Sequence, residues 1–383
     1  MRICFLNAPI EYYSPISGGA VATIMMQSAR CLIARGHEVT VLTIVNDDEV
    51  YPVGKVVPIE APGRDRISTL PRKLAVLRSR FLGWDWPYYA YYLRSFTQAL
   101  KKLSPPPEVV ICFNDLVSPA YIRRAVPTAR VYSWLQNEQG THQKDLRRTV
   151  EATTAFLTCS QYIADWTARK YSLPATHFRV VHSGVDLGAF SPHSDYLEPK
   201  QPLRALFIGR MDPNKGPDIA ADAILKLQQE GFEIRYSVAG GLWFYGHGKE
   251  MEDPYFRTLK EKMDAVHADY LGHLTRHDVP DMIRGHDVAF VLSRANEPFG
   301  LVVLETMASG CAVIASNRGG LPEACGGAAL LVDPDDFDGV VQRLRLLATD
   351  PDALREQKRR AVERASEASW ATVAGILEKA IEA

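Results

Sequence analysis

The sequence lacks the C-x-x-C spacing that many metal and redox sites use. Its six cysteines are scattered, and three of them lie in apolar, strand-like runs (Cys4, Cys31, Cys112, Cys159, Cys311 and Cys325). Cysteines in such runs usually behave as small buried residues. We therefore expect free thiols in a reducing compartment, rather than a metal site or a disulfide framework.

Long apolar runs are also missing. No stretch approaches the roughly 20 residues that a membrane-spanning helix needs. Arg2 leads directly into a strand-like run, so we expect no secretory leader. These features predict a cytoplasmic protein, at most peripheral to a membrane.

The chain has little net charge, formally −1, which argues against a nucleic-acid partner. The balance hides an asymmetry, because residues 1–195 sum to +6 and the remainder to −7. A basic first half would suit an anionic acceptor or a membrane surface, although the asymmetry can equally be incidental.

The dinucleotide fingerprint G-x-G-x-x-G is absent as well. Instead, Gly18 and Gly19 follow an apolar strand at 3–8 and precede a helix at 21–34, and another strand follows at 39–45. This order of elements opens a Rossmann-like half-domain. The glycine pair either contacts a ligand or only forms a tight turn.

Strands and helices alternate through both halves of the 383 residues, enough for two domains. The alternation predicts an α/β fold with two doubly wound lobes facing a cleft. Three prolines among polar residues mark 187–202 as the linker. We assign the first lobe to 1–190 and the second to 200–365.

The stretch 294–310 reads as a loop that breaks into a short helix. Pro298 delays the helix, whose first free N–H groups belong to Gly300, Leu301 and Val302. A helix start at the edge of an α/β sheet is an anion site.

Glu297 and Glu305 flank this helix start eight positions apart. An anion site with two acids suits a ligand with phosphate at one end and hydroxyl groups at the other, such as a nucleotide sugar. Glu305 tilts toward the helix start and can reach ribose hydroxyls. The alternative role for Glu297 is that of a helix-capping carboxylate.

Three segments resemble motifs of retaining GT-B glycosyltransferases of family four. Gly209-Arg-x-x-x-x-Lys-Gly216 resembles the phosphate segment, Glu297-x-Phe-Gly-Leu-x-x-x-Glu305 resembles the E-x₇-E motif, and Arg318-Gly-Gly-x-Pro-Glu323 resembles the G-G-x-x-E segment. They occur in the expected order. The resemblance implies a GT-B fold and retaining transfer of a hexosyl unit from a UDP-sugar, with UDP-glucose or UDP-N-acetylglucosamine as the expected donor.

The resemblance also implies roles for individual residues. Glu297, Arg210 and Lys215 are the expected catalytic residues, with both cations on the diphosphate and Glu297 near the donor sugar. The alternative for the two cations is a surface ion pair. Two cations and a helix end can replace a metal, so no metal or cofactor is expected. The full predicted donor-binding set is Gly18, Gly19, Arg210, Lys215, Glu297, Phe299, Gly300, Leu301, Val302 and Glu305.

The acceptor should bind the first lobe. Gln136 follows a predicted strand where many relatives carry histidine, and glutamine cannot act as a general base. Gln136, Asn137 and His142 are the acceptor-side candidates. The resemblance further implies that a C-terminal helix, about 366–383, crosses back onto the first lobe.

A polysaccharide or glycolipid is the expected acceptor. The basic segment 64–82 precedes an aromatic cluster, so it could lie on an anionic membrane, line a carbohydrate pocket or simply be a surface helix. Two rival functions stay open: a nucleotide-sugar epimerase or hydrolase on the same fold, and a non-catalytic nucleotide-sugar-binding protein.

Overall fold

The computed structural model describes residues 1–8, 11–16, 19–45, 49–59, 88–141, 143–242 and 252–382. They form two compact units. Unit 1 comprises Met1–His182 and Val373–Ala383, and unit 2 comprises Ser183–Thr372. The stretch 187–202, predicted as a linker, therefore belongs to unit 2.

Unit 1 contains a parallel sheet of seven described strands in the order β3-β2-β1-β4-β5-β6-β7. The strands are β1 Arg2–Leu6, β2 Glu38–Ile44, β3 Lys55–Ile59, β4 Val109–Phe113, β5 Arg130–Leu135, β6 Ala155–Thr158 and β7 Phe178–Val180. The described helices are α1 Ala20–Ala34, α2 Tyr88–Lys101, α3 Ser118–Ala125, α4 Gln143–Ala152 and α5 Gln161–Tyr171, with a 3₁₀ turn at Ala175–His177.

Unit 2 repeats this plan with six described strands in the order β10-β9-β8-β11-β12-β13. They are β8 Leu203–Ile208, β9 Ile234–Ala239, β10 Asp269–Gly272, β11 Val288–Val291, β12 Ala312–Ser316 and β13 Leu330–Val332. The helices are α6 Pro217–Gln229, α7 Pro254–Ala265, α8 Val279–Arg284, α9 Leu301–Ala308, α10 Leu321–Cys325, α11 Phe337–Thr349 and α12 Pro351–Glu367, with a 3₁₀ turn at Pro213–Lys215. Helix α13, Trp370–Glu382, completes the described chain.

Both strand orders are doubly wound, which confirms the predicted α/β architecture of two Rossmann-like units. The central strands β4 and β11 are buried along their whole length, because helices cover both faces of a parallel sheet. Strand β3 was not predicted; its Pro58 is tolerated because β3 is the edge strand.

The last turn of α13 is anchored within unit 1. Arg130 Nη1 donates to the carbonyl of Ile381 at 2.6 Å, and the Tyr132 hydroxyl donates to the same carbonyl at 3.0 Å. These donors satisfy carbonyls that a helix end leaves without partners. None of the described helices has both the length and the apolar character that a membrane crossing requires.

Two predictions lie outside the described residues. The basic segment 64–82 is one, so its three alternatives stay as predictions. The other concerns Gly18 and His142, whose placement the structure does not describe.

Candidate functional site

The predicted donor residues of unit 2 lie where its strand order reverses. Strands β8 and β11 are adjacent, with Ala205 paired to Val288. In doubly wound sheets, ligands bind at the carboxyl ends of the strands beside this reversal. The loop after β8 carries Arg210 and Lys215, and the loop after β11 carries Glu297.

These two loops are held together by close backbone contacts. Gly216 has φ +69°, and a Cβ there would lie 2.2 Å from the carbonyl oxygen of Leu292. The backbone N–H of Arg294 donates to the carbonyl of Asn214 at 2.8 Å. Only glycine fits position 216, because both the conformation and the space exclude a side chain. The contacts bring the end of the first loop against the start of the second.

Lys215 and Glu297 meet as a result. Lys215 Nζ lies 2.5 Å from Glu297 Oε1, with side chains 27% and 14% exposed. The Ser293 hydroxyl donates to the same oxygen at 2.6 Å, and Ser293 is buried. Oε2 of Glu297 has no hydrogen bond to a described residue, which leaves one carboxylate oxygen for a ligand.

The backbone of Glu297 is fixed by the segment that resembled the G-G-x-x-E motif. Glu297 forms an isolated parallel bridge with Gly319, and Gly320 N–H donates to its carbonyl at 2.7 Å. A Cβ at Gly319, where φ is +61°, would lie 2.3 Å from that carbonyl oxygen. Glycine at position 319 therefore allows this segment to lie directly against the backbone of Glu297 and hold it in place.

The second acid, Glu305, lies in α9 and is 8% exposed. Arg276 Nη2 donates to Glu305 Oε1 at 2.7 Å, and the guanidinium stands 5.6 Å from the centre of the Phe190 ring. The carboxylate that we expected at ribose hydroxyls is thus already neutralised by an arginine from the segment after β10.

Helix α9 begins at Leu301 after Gly300, which supplies no side-chain cap. Leu301 and Val302 are partly exposed, whereas the side chain of Phe299 is buried. The first turn of α9 therefore has no side-chain cap, and the anion site at this helix start stays a prediction.

Arg210 is placed differently from Lys215. It is about half exposed, and its Nη2 lies 3.3 Å from Asp212 Oδ2. Asp212 also caps the 3₁₀ turn by accepting from Asn214 N–H at 2.9 Å. The structure therefore unites Lys215 with Glu297, and it pairs Arg210 with a carboxylate of its own loop.

A further arginine, Arg294, lies in the loop between β11 and α9 that also carries Glu297. Arg294 makes a two-pronged contact with Asp218, in the first turn of α6, at 2.9 and 2.6 Å. Burial tends to raise the pKa of Asp218, but hydrogen bonds from Arg294 and Tyr255 outweigh it and hold that pKa below its usual value. Such paired charge-assisted bonds give the loop a defined geometry.

The described candidates of unit 1 lie at its own strand ends. Gln136 directly follows β5 and is 5% exposed, whereas Asn137 is exposed. Gln136 N–H donates to Asn114 Oδ1 at 2.6 Å. Gly19 N–H donates to Glu11 Oε1 at 3.0 Å.

Ser293, Arg276 and Glu11 were not among the predicted site residues. Ser293 had a weak signal, as the first polar residue after an apolar strand and four positions before Glu297. Arg276 and Glu11 had none, because Arg276 meets a partner 29 positions away and Glu11 meets its partners across a glycine turn.

Two family models match the chain. "Glycosyltransferase Family 4" matches residues 17–189 and "Glycosyl transferases group 1" matches residues 192–367, so together they account for nearly the whole chain. The chain is a GT-B glycosyltransferase.

Sequence relatives and solved structures match this glycosyltransferase along nearly its whole chain. Glycogen synthase of Mycobacterium tuberculosis is 26% identical over 94% of this chain and 90% of its own. Sucrose-phosphate synthase of Thermosynechococcus elongatus has a TM-score of 0.76 at 18% identity, covering 100% and 98% of the two chains. HepE of Anabaena, solved with UDP and glucose, has a TM-score of 0.73 at 17% identity and full coverage of both chains. These likenesses confirm the predicted GT-B fold.

Proposed function

We propose that this glycosyltransferase moves a hexosyl unit from a UDP-sugar to a hydroxyl acceptor with retention at C1. The observation that carries the proposal is the contact between Lys215 and Glu297 at the strand reversal of unit 2. UDP is favoured because HepE, a neighbour in fold, was solved with UDP and with UDP-glucose. UDP-glucose and UDP-N-acetylglucosamine are the donors we would test first.

The ion pair between Lys215 and Glu297 suggests how donor binding would free Glu297 for the reaction. A diphosphate carries more negative charge than one carboxylate, so it would compete with Glu297 for Lys215. Arg210 and the start of α9 would hold the same diphosphate as charge grows on it. Glu297 would then be left with the Ser293 bond and with its charge directed to the sugar.

The leaving diphosphate would complete the chemistry. As the C1–O bond to phosphate breaks, positive charge develops at C1 and is stabilised by Glu297. The acceptor hydroxyl would attack from the face that the diphosphate leaves, and a phosphate oxygen would take its proton. Bond formation and cleavage on one face give retention. Glu305 would hold the ribose, and no metal would be needed if the two cations and the helix end face the diphosphate.

Unit 1 would bind the acceptor, through Gln136 and its neighbours. We propose a polysaccharide or glycolipid acceptor in the cytoplasm, in keeping with glycogen synthase among the relatives. Membrane contact through 64–82 belongs to the same proposal.

UDP release tests this function directly. Purified protein would be assayed with UDP-glucose, UDP-N-acetylglucosamine, UDP-galactose and GDP-mannose, each with and without EDTA, against oligosaccharide and lipid-linked acceptors. We expect acceptor-dependent UDP release that resists EDTA, and an NMR coupling at the new C1 that matches the donor's configuration. Inversion would refute the mechanism.

The same assay separates the rival functions. Free sugar or an epimerised donor formed without acceptor would indicate a hydrolase or epimerase. A protein that binds UDP-sugar but never releases UDP with any acceptor would be a binding protein.

A further inference from the structure

A buried carboxylate meets a partly exposed guanidinium in unit 2. Glu305 is 8% exposed and lies about one turn inside α9. Arg276, in the segment between β10 and α8, donates from Nη2 to Glu305 Oε1 at 2.7 Å. A carboxylate with so little access to water is costly unless an opposite charge compensates it. Arg276 supplies that charge.

The contact uses only one of the two carboxylate oxygens. Oε2 of Glu305 has no hydrogen bond to a described residue. A carboxylate oxygen accepts hydrogen bonds and does not donate them, so Oε2 suits a ligand group that donates, such as a hydroxyl. The arginine therefore fixes the acid through one oxygen and leaves the other for a hydroxyl-bearing ligand.

Arg276 is itself held by an aromatic ring. Its guanidinium carbon lies over the ring of Phe190, 5.6 Å from the ring centre, and Phe190 is 2% exposed. A guanidinium within about 6 Å of an aromatic face is attracted to the ring. The stacking restricts the arginine side chain, which is 44% exposed, and so defines its position beside the acid.

The turn that carries Phe190 is also fixed by hydrogen bonds. Phe190 N–H donates to the carbonyl of Asp186 at 2.8 Å. Arg284 Nη1, in the last turn of α8, donates to the carbonyl of Ala189 at 2.9 Å. The ring that supports Arg276 is thus held in place by backbone contacts on its own turn.

An arginine at this place can serve a nucleotide in two ways, by binding the diphosphate directly or by acting through Glu305. The second is favoured because the guanidinium already contacts Glu305 and Phe190. Strand β10 is also two strands from β8, roughly 10 Å away in the sheet. The predicted diphosphate cations, Arg210 and Lys215, follow β8.

We propose that Arg276 is a positioning residue for nucleotide binding, which holds Glu305 so that Oε2 accepts a hydrogen bond from a ribose hydroxyl. The inference rests on the proposed transfer function, in which Glu305 binds the ribose of the donor. Arg276 takes no part in the bond changes at C1. Its loss should weaken the ribose contact and leave the phosphate contacts unchanged.

Two ligands separate these contributions. UDP carries both ribose hydroxyls, whereas 2′,3′-dideoxy-UDP lacks them and keeps the diphosphate. Calorimetry gives the dissociation constant of each ligand for the native protein, Arg276→Gln, Arg276→Lys, Glu305→Gln and the double variant of Arg276→Gln with Glu305→Gln. Arg345→Gln is the matched control, because Arg345 is a similarly exposed arginine that pairs with Glu230 from α11.

We expect Arg276→Gln to weaken UDP binding about tenfold, as for the loss of a hydrogen bond to a charged group, and to change 2′,3′-dideoxy-UDP binding less than about twofold. Arg276→Lys should recover part of the loss, because lysine keeps the charge but lacks the planar group that stacks on Phe190. In the double variant the two losses should not add, because both remove the same ribose contact. Arg345→Gln should bind both ligands as the native protein does.

Several results would overturn the inference. Equal losses for the two ligands in Arg276→Gln would mean that Arg276 binds the diphosphate or only stabilises the fold. Unchanged UDP binding in this variant, or full additivity with Glu305→Gln, would show that Arg276 does not act through the acid. Thermal unfolding identifies a variant that has lost its fold, and Arg276→Lys then carries the comparison of the two ligands.

Failure of this inference is distinct from failure of the proposed function. If the native protein binds UDP and releases it from a UDP-sugar with acceptor, while Arg276→Gln shows no preference between the ligands, the transfer function stands and the positioning role fails. If the native protein binds neither ligand, the UDP donor and the positioning role fail together.

Discussion

Replacing Glu297 with glutamine removes one negative charge and keeps the shape of the side chain. In the free protein this breaks the ion pair to Lys215, but both side chains reach solvent, at 27% and 14% exposure. Partly exposed pairs contribute about 1 kcal/mol or less, so the folded state should tolerate the change. Lys215 also loses its competitor for the diphosphate. We therefore expect UDP to bind Glu297→Gln as tightly as the native protein, or slightly more tightly.

Sugar transfer should suffer far more. Two unit charges about 4 Å apart interact by about 4 kcal/mol at the effective dielectric of a partly exposed site. If Glu297 stabilises positive charge at C1 over such a distance, its loss lowers kcat by roughly a hundredfold to a thousandfold, since each 1.4 kcal/mol is a factor of ten. The lower end applies because Ser293 still donates to the residue at 297 and fixes the side chain.

Two measurements check this prediction together. Calorimetry gives the dissociation constant of UDP, and a coupled assay of UDP release gives kcat. Asp264→Asn is the matched control, because it removes the carboxylate of an exposed pair with Lys260 within helix α7, outside the loops that carry Lys215 and Glu297. A variant of Glu297 that loses UDP binding but keeps kcat would refute the assigned role, and so would one with both values unchanged.

Three further predictions address the supports of the site. Glu305→Gln should weaken UDP binding about tenfold with a smaller effect on kcat, because a hydrogen bond that a hydroxyl donates to a charged carboxylate contributes about 1.5–3 kcal/mol. An unchanged dissociation constant would argue against a ribose contact. Gly319→Ala should abolish transfer, because its Cβ would lie 2.3 Å from the carbonyl oxygen of Glu297. Gly327 is the control, since it also has a positive φ but no atom within 4 Å of an added Cβ, so Gly327→Ala should retain activity. Equal activities of the two variants would contradict the steric argument. Lys358→Met should lower the stability of unit 2 by about 3–5 kcal/mol, since it leaves a buried carboxylate 2.5 Å away without its partner; an unaltered thermal unfolding midpoint would contradict this.

The order of strands and helices could be predicted because each leaves a local pattern. The strands predicted at 3–8 and 39–45 are observed as β1 and β2, and the helix predicted at 21–34 is observed as α1, with ends that agree within two residues. Helix α9 begins at Leu301, shortly after the Pro298 that was expected to delay it. Strand β3 escaped prediction, since Pro58 interrupts its pattern and only its place at the sheet edge makes the proline acceptable.

The site was predicted in part for the same reason. Parallel strands place their carboxyl ends on one edge, so loops that follow β8 and β11 had to lie near each other once the strand order was doubly wound. Local patterns do not show which side chains touch. Arg276 finds Glu305 across 29 positions, and Glu11 finds Ala22 across a glycine turn.

The sequence by itself determined the two-unit α/β architecture, the loops that carry Lys215 and Glu297 and the helix that carries Glu305, because periodicity and glycine turns act over a few residues. Only the tertiary structure decided the partners of those side chains. Lys215 is neutralised by Glu297, Glu305 by Arg276, and the start of α1 by Glu11. Each pairing depends on the conformation of the segment that follows a strand, and that conformation is set by packing of the whole unit.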